Sequence, residues 1–135
     1  MAEKPDLAIP TELLETMTTF NEEMADAGVL LDAGGFLPSS VDSYRLVFGD
    51  RSGPTIMSGP FDLSKEDHVC GYWIVKAKDA EEAIGWAKKV PFPQGQLIIR
   101  KLSDACDLGK GSPGFIERQK RLRTKLLENL RAAEC

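Results

Sequence analysis

Chemistry, if this chain performs any, is concentrated in the stretch Ser58-Gly59-Pro60-Phe61-Asp62-Leu63-Ser64-Lys65-Glu66 and just beyond it, where His68 and Tyr72 follow. Lys65 and Glu66 could hold an anionic substrate while a carboxylate moves a proton. His68 is the only histidine in the chain, and histidine is the side-chain type that exchanges protons near neutral pH. These three are the catalytic candidates. Ser58, Asp62 and Tyr72 are the substrate-binding candidates around them. Against this stands a plainer reading: adjacent opposite charges on a loop are more often a solvated pair, and Tyr72 with Trp73 can both serve as core.

Other chemistries fit less well. His68, Cys70 and Cys106 could approach a metal, but a fourth ligand at recognisable spacing is absent, so no metal is expected. Cys70 reads instead as a small buried apolar side chain. Gly49 to Gly53 is a hairpin turn without the lysine and helix of a phosphate loop, and Gly109, Gly111 and Gly114 match no dinucleotide fingerprint. No organic cofactor is expected.

The elements that must position these residues follow from the chain's patterning. Its 135 residues, 42% hydrophobic and 28% charged, suit about one domain with a real core. A net charge of −4 argues against non-specific binding to nucleic acid or an anionic membrane surface. No apolar run approaches a membrane span, and Met1 to Asp6 lack the apolar centre of a signal peptide. Cys70, Cys106 and Cys135 are odd in number and widely spaced, which reads as reduced thiols in a cytoplasmic protein.

Charge is uneven. No basic residue lies between Lys4 and Arg45, whereas the last stretch carries Arg118, Lys120, Arg121, Arg123, Lys125 and Arg131. Two solvated helix faces account for this. A sharper reading lays the basic tail helix on the acidic first helix, in the same chain or a partner's.

Met1 to Pro10 reads as an arm. From Thr11, Leu13, Met17, Phe20 and Met24 recur at helical spacing, with Leu14 widening the stripe and Gly28 as the stop. Val29-Leu30-Leu31 is a short strand that Gly34-Gly35 should break. Tyr44 to Phe48 and Thr55 to Met57 form a hairpin, and Gly59-Pro60 stops its second arm. Gly71 to Ala77 is a strand. Asp79 and Glu82 open a second helix with a capping box, whose buried stripe is Ala83, Ile84, Ala87 and Val90, flanked by Trp86. Gln96 to Lys101 is a final strand. Asp107 to Gly114 is a linker by composition, and Phe115 to Ala133 a helix with Leu122, Leu126 and Leu130 in one line. The domain therefore runs over residues 1–103, with a linker and C-terminal helix over 104–135. This is most of an α+β, ferredoxin-like βαββαβ unit whose first strand is missing or shortened. At best Leu7-Ala8-Ile9 supplies it. A shortened N-terminus is the expectation, because a vacant central strand would leave backbone groups unpaired.

Taken together, Ala27-Gly28-Val29-Leu30-Leu31, Gly35-Phe36-Leu37-Pro38, Ser58-Gly59-Pro60-Phe61, Lys65-Glu66, Gly71-Tyr72-Trp73 and Ala80 to Ala87 resemble the YCII-related family, in its DGPF branch. The likeness covers about Met17 to Leu102. It implies a ferredoxin-like fold that pairs into a dimeric α+β barrel, in a superfamily that includes isomerases, lyases and cofactor-free monooxygenases. Where the family signature begins with Asp, this chain has Ser58, which removes the first candidate carboxylate. The segment between Glu66 and Tyr72 is one residue longer than the family pattern, as a bulge or displaced loop would be.

Two functions follow as expectations. One is a small homodimeric protein that binds a small organic molecule in a pocket of the barrel and acts as a cofactor-free lyase or isomerase. The other is a non-catalytic binding or assembly module whose tail helix docks on a partner, with Leu122, Leu126 and Leu130 exposed.

Overall fold

A computed structural model of the chain describes residues 10–62, 64–103 and 113–133. The possible first strand Leu7-Ala8-Ile9, Cys106, Cys135 and most of the expected linker lie outside the described residues. The chain divides into two compact units, Met1–Leu97 and Ile98–Cys135.

Helix α1 spans Thr11–Asp26. Its first turn hangs on the Pro10 carbonyl, which accepts from the Leu13 and Leu14 amides at 3.0 and 3.1 Å. Its end is set by Gly28, whose φ of +77° is left-handed. There the Gly28 amide donates to the Ala25 carbonyl and the Val29 amide to that of Met24, the paired bonds of a Schellman cap. The chain is thereby turned into strand β1, Leu30–Gly35. Strands β2 (Tyr44–Val47) and β3 (Thr55–Ser58) follow, then β4 (Gly71–Val75) and helix α2 (Ala80–Lys88). A capping-box-like pair is present: the Asp79 carboxylate accepts from the Glu82 amide at 2.9 Å, and the Glu82 carboxylate accepts from the amide of Lys78, the residue before the cap, at 3.0 Å.

The first unit is α+β, with two small antiparallel sheets. β1 pairs with β4, placing Gly34 opposite Tyr72 and Ala33 opposite Trp73. β2 pairs with β3, placing Arg45 opposite Met57 and Tyr44 opposite Ser58. The core sits on one face of the β1–β4 sheet. Phe20, Met24 and Val29 are buried, with Met17, Leu30, Trp73, Val75, Trp86 and Val90 packed against them. The Phe20 and Trp73 rings meet edge to face, 6.3 Å between centroids, and the Trp73 indole donates to Asn21 Oδ1 at 2.8 Å.

Several expectations change. β1 runs through Gly34-Gly35 instead of breaking there. A Cβ on Gly34 would stand 3.0 Å from the Tyr72 ring, so the glycine makes room for a cross-strand aromatic that covers it. Leu14 and Ile84 are exposed, while Trp86, expected at the flank, packs on the core. Trp73 is core but Tyr72 is not: successive strand side chains point to opposite faces, and Tyr72 remains 38% exposed. Cys70 is exposed instead of buried. A register irregularity falls between Leu30 and Asp32 in β1, and the segment between Glu66 and Tyr72 runs as loop up to the start of β4 at Gly71. Gln96 to Lys101 forms no strand among the described residues. An alternating apolar pattern becomes a strand only when a neighbour accepts its hydrogen bonds, and among the described residues β1 and β4 pair only with each other.

The second unit holds helix α3, Pro113–Ala132. Leu122, Leu126, Leu127 and Leu130 along it are 47–64% exposed.

Candidate functional site

The turn after β3 decides which of the candidate residues can meet. Asp62 closes that turn: its carboxylate accepts from the Ser64 amide at 2.9 Å, and its carbonyl accepts from the Lys65 amide at 3.1 Å. Glu66 and His68 come next, on the way into β4. Arg45 reaches the same place from β2. Its guanidinium donates to Glu66 Oε1, and His68 Nε2 lies 3.2 Å from that same oxygen. The Phe61 ring borders both partners. The Arg45 guanidinium carbon is 4.7 Å from the ring centroid, a cation–π contact, and the His68 ring meets Phe61 edge to face at 5.5 Å.

Arg45 first, and then His68, hold the Glu66 carboxyl below the usual glutamate range by hydrogen bonding to its ionised form. An ionised carboxylate so held is a poor proton acceptor near neutrality. A carboxylate of that kind can orient an imidazole and stabilise it when charged, as the third group of a catalytic triad does. An imidazole that donated from Nε2 to Glu66 would keep a lone pair on Nδ1 when neutral.

The other candidates separate into their own groups. Lys65 extends into solvent, its Nζ 3.8 Å from Asp62 Oδ2. Asp62 itself is held below the usual aspartate range by the Ser64 hydroxyl and then the Ser64 amide. Tyr72 donates its hydroxyl to Asp32 Oδ2 at 3.1 Å, while Asp32 Oδ1 accepts from the Ala33 amide at 2.9 Å. The hydrogen bond to Asp32, and then its negative charge, push the Tyr72 phenol upward. Ser58 ends β3 at an exposed position.

The structure thus brings Glu66 and His68 together and adds Arg45 and Phe61, which sequence reasoning left out of the site. A signal for Arg45 existed: it is the first basic residue after Lys4, set in the apolar strand Tyr44-Arg45-Leu46-Val47. Asp32 and Ser39 carried no such mark.

Two concavities, of about 590 and 250 Å³, share Lys78 and Glu82 at the start of α2. Neither is lined by Arg45, Glu66 or His68. Among the described residues no group of three or more His, Cys, Asp or Glu side chains could hold a metal ion, and no helix is long and apolar enough to cross a membrane.

No curated protein is similar enough to this chain to count as a match. The model of one protein family does match, over residues 2–104, which takes in the α+β unit and every residue of the Arg45–Glu66–His68 cluster. The chain belongs to the family of the YCII-related domain.

Proposed function

We propose that this YCII-related protein is a homodimer that binds a small organic molecule beside the Arg45–Glu66–His68 cluster and acts on it as a cofactor-free lyase or isomerase. The observation that carries this reading is the 3.2 Å approach of His68 Nε2 to a Glu66 oxygen already bound by Arg45. In the reaction, His68 Nδ1 takes a proton from the substrate. It returns that proton to a second substrate atom in an isomerisation, or hands it to a departing group in an elimination. Glu66 keeps the imidazole in register and balances its charge. Lys65, exposed in one chain, meets an anionic substituent, and Ser58, Asp62 and Tyr72 remain the candidate substrate contacts of this reading.

A second copy of the chain supplies the cover in this reading, with the finer architecture of a DGPF-type dimeric α+β barrel. Apolar exposure supports it: Tyr44, Leu46, Ile56 and Met57 on the hairpin and Leu31, Phe36 and Tyr72 on the β1–β4 sheet all stand open to solvent in one chain. Large apolar side chains left open in this number suit the surface of a partner. Screening small carbonyl compounds and aromatic acids for turnover tests the chemistry. His68→Gln and Glu66→Gln should each abolish whatever turnover is found, and wild-type rates in His68→Gln would end the reading. Sedimentation equilibrium should return a dimer mass, and an elongated monomer in solution scattering would remove the barrel.

A specific observation also favours the assembly reading. The line Leu122, Leu126 and Leu130 on α3 is exposed, from 47 to 64%, and Arg118, Lys120, Arg121, Arg123, Lys125 and Arg131 share the same helix. On that reading α3 docks on an acidic partner. It is distinguished by Leu126→Glu, which should abolish complex formation while leaving any turnover intact.

A further inference from the structure

Ser39 is the buried polar residue of the described chain, only 7% exposed. It lies in the loop between β1 and β2, far in sequence from the chemistry. Its hydroxyl oxygen accepts from the Phe61 amide at 3.0 Å. Its carbonyl oxygen packs so closely on Gly59 that a Cβ there would come within 1.9 Å of it. The Gly59 amide in turn donates to the Ser43 carbonyl at 2.8 Å. Ser39 and Ser43 therefore grip the corner from two sides, and Phe61 leaves that corner with its backbone anchored. The Phe61 ring is the surface that both Arg45 and His68 contact.

We propose that Ser39 is a positioning residue for the Arg45–Glu66–His68 cluster, acting through Phe61. The proposal rests on the same cluster as the functional reading and adds a residue that touches none of its three polar members in the bonds described above. The physical reason is cooperative placement. Arg45 and His68 both approach one Glu66 oxygen, and groups crowded on a single acceptor need an external surface to hold their angles, since hydrogen bonds weaken steeply as they bend. An aromatic ring offers a cation–π face to Arg45 and a packing surface to His68. It can do so only while its own backbone is fixed, and a buried hydroxyl with a backbone partner provides that.

Nuclear magnetic resonance tests this without any known substrate, because His68 is the only histidine and its ring signals assign themselves. In the wild type, cross-peaks should connect the His68 and Phe61 ring protons, and the Glu66 carboxyl carbon should titrate below the ordinary glutamate range. Ser39→Ala should lose those cross-peaks and return the Glu66 titration toward the ordinary value. Phe61→Leu, with Ser39 intact, should move Glu66 in the same direction. Should Ser39→Ala fail to fold, Ser39→Cys keeps the volume with a weaker acceptor and carries the same expectation. A lower melting temperature with unchanged Glu66 titration and intact cross-peaks would reduce Ser39 to a loop anchor and overturn the proposal. The outcome is independent of turnover: loss of the reaction assignment through His68→Gln leaves this geometric result standing, and the reverse also holds.

Discussion

Two regions of the first unit hold themselves together by different means. In one, α1, β1, β4 and α2 enclose Phe20, Met24 and Val29, so stability comes from apolar area removed from water. In the other, the β2–β3 hairpin and the loop from Phe61 to Cys70 leave large apolar side chains exposed, and their order rests on polar contacts: Arg45 and His68 on Glu66, Ser39 on Phe61, Asp62 on Ser64. A two-stranded hairpin is marginal by itself. The lesson is a division of labour, in which the packed region supplies folding free energy and the polar region brings the candidate site residues Glu66 and His68 together.

Breaking the packed region should give the largest effect. Met24, 2% exposed, truncated to alanine should destabilise by about 2–5 kcal/mol through lost burial and the cavity left behind, read as a lower urea midpoint. Next comes the seam where the polar region is gripped. Gly59→Ala forces a methyl group against a backbone oxygen, and relieving that overlap should cost about 1–3 kcal/mol. Cluster geometry should be lost with it, visible in the His68 ring signals. Smaller again is Asp79→Ala at the cap of α2, about 1 kcal/mol by denaturant melting, with no change at His68. If Asp79→Ala disturbed the cluster as much as Gly59→Ala, the two regions would not be separate.

Titrations sharpen the comparison further, with the smallest effects on stability. Glu66 has a folded value depressed below its unfolded one. Its contribution is present above the ordinary glutamate value and is lost as pH falls through the lowered folded value. Arg45→Met should raise the Glu66 midpoint, since Arg45 is its first cause, followed through the carboxyl carbon. Tyr72 behaves in the opposite sense. Its folded value is raised, so its contribution is present below the ordinary phenol value and declines as pH climbs from there through the raised one. Asp32→Asn should lower the Tyr72 midpoint, measured by ultraviolet absorbance in a Tyr44→Phe background. A midpoint unmoved by Asp32→Asn would detach Tyr72 from Asp32.

Much of the packed region was legible from residue order alone. The α1 stripe, its stop at Gly28 and the Asp79–Glu82 capping box are local, each decided by residues within a turn or two of one another. Local rules failed where a distant residue intervened. Gly34 read as a breaker because its partner Tyr72 lies in another strand, and Ile84 and Trp86 exchanged places because helix spacing cannot tell which side faces the Phe20–Met24–Val29 core. Gln96 to Lys101 has the alternation of a strand, yet alternation says nothing about who would receive its hydrogen bonds.

The candidate site divides the same way. Glu66 and His68 could be named from residue type and proximity along the chain, and so could the turn built on Asp62. Arg45, Phe61 and Ser39 belong to the cluster only because the hairpin and the β1–β2 loop fold back onto that turn. Residue type determined which groups could carry a proton. Which carboxylate meets the imidazole was decided in three dimensions, because Arg45 had to reach the same oxygen from another strand.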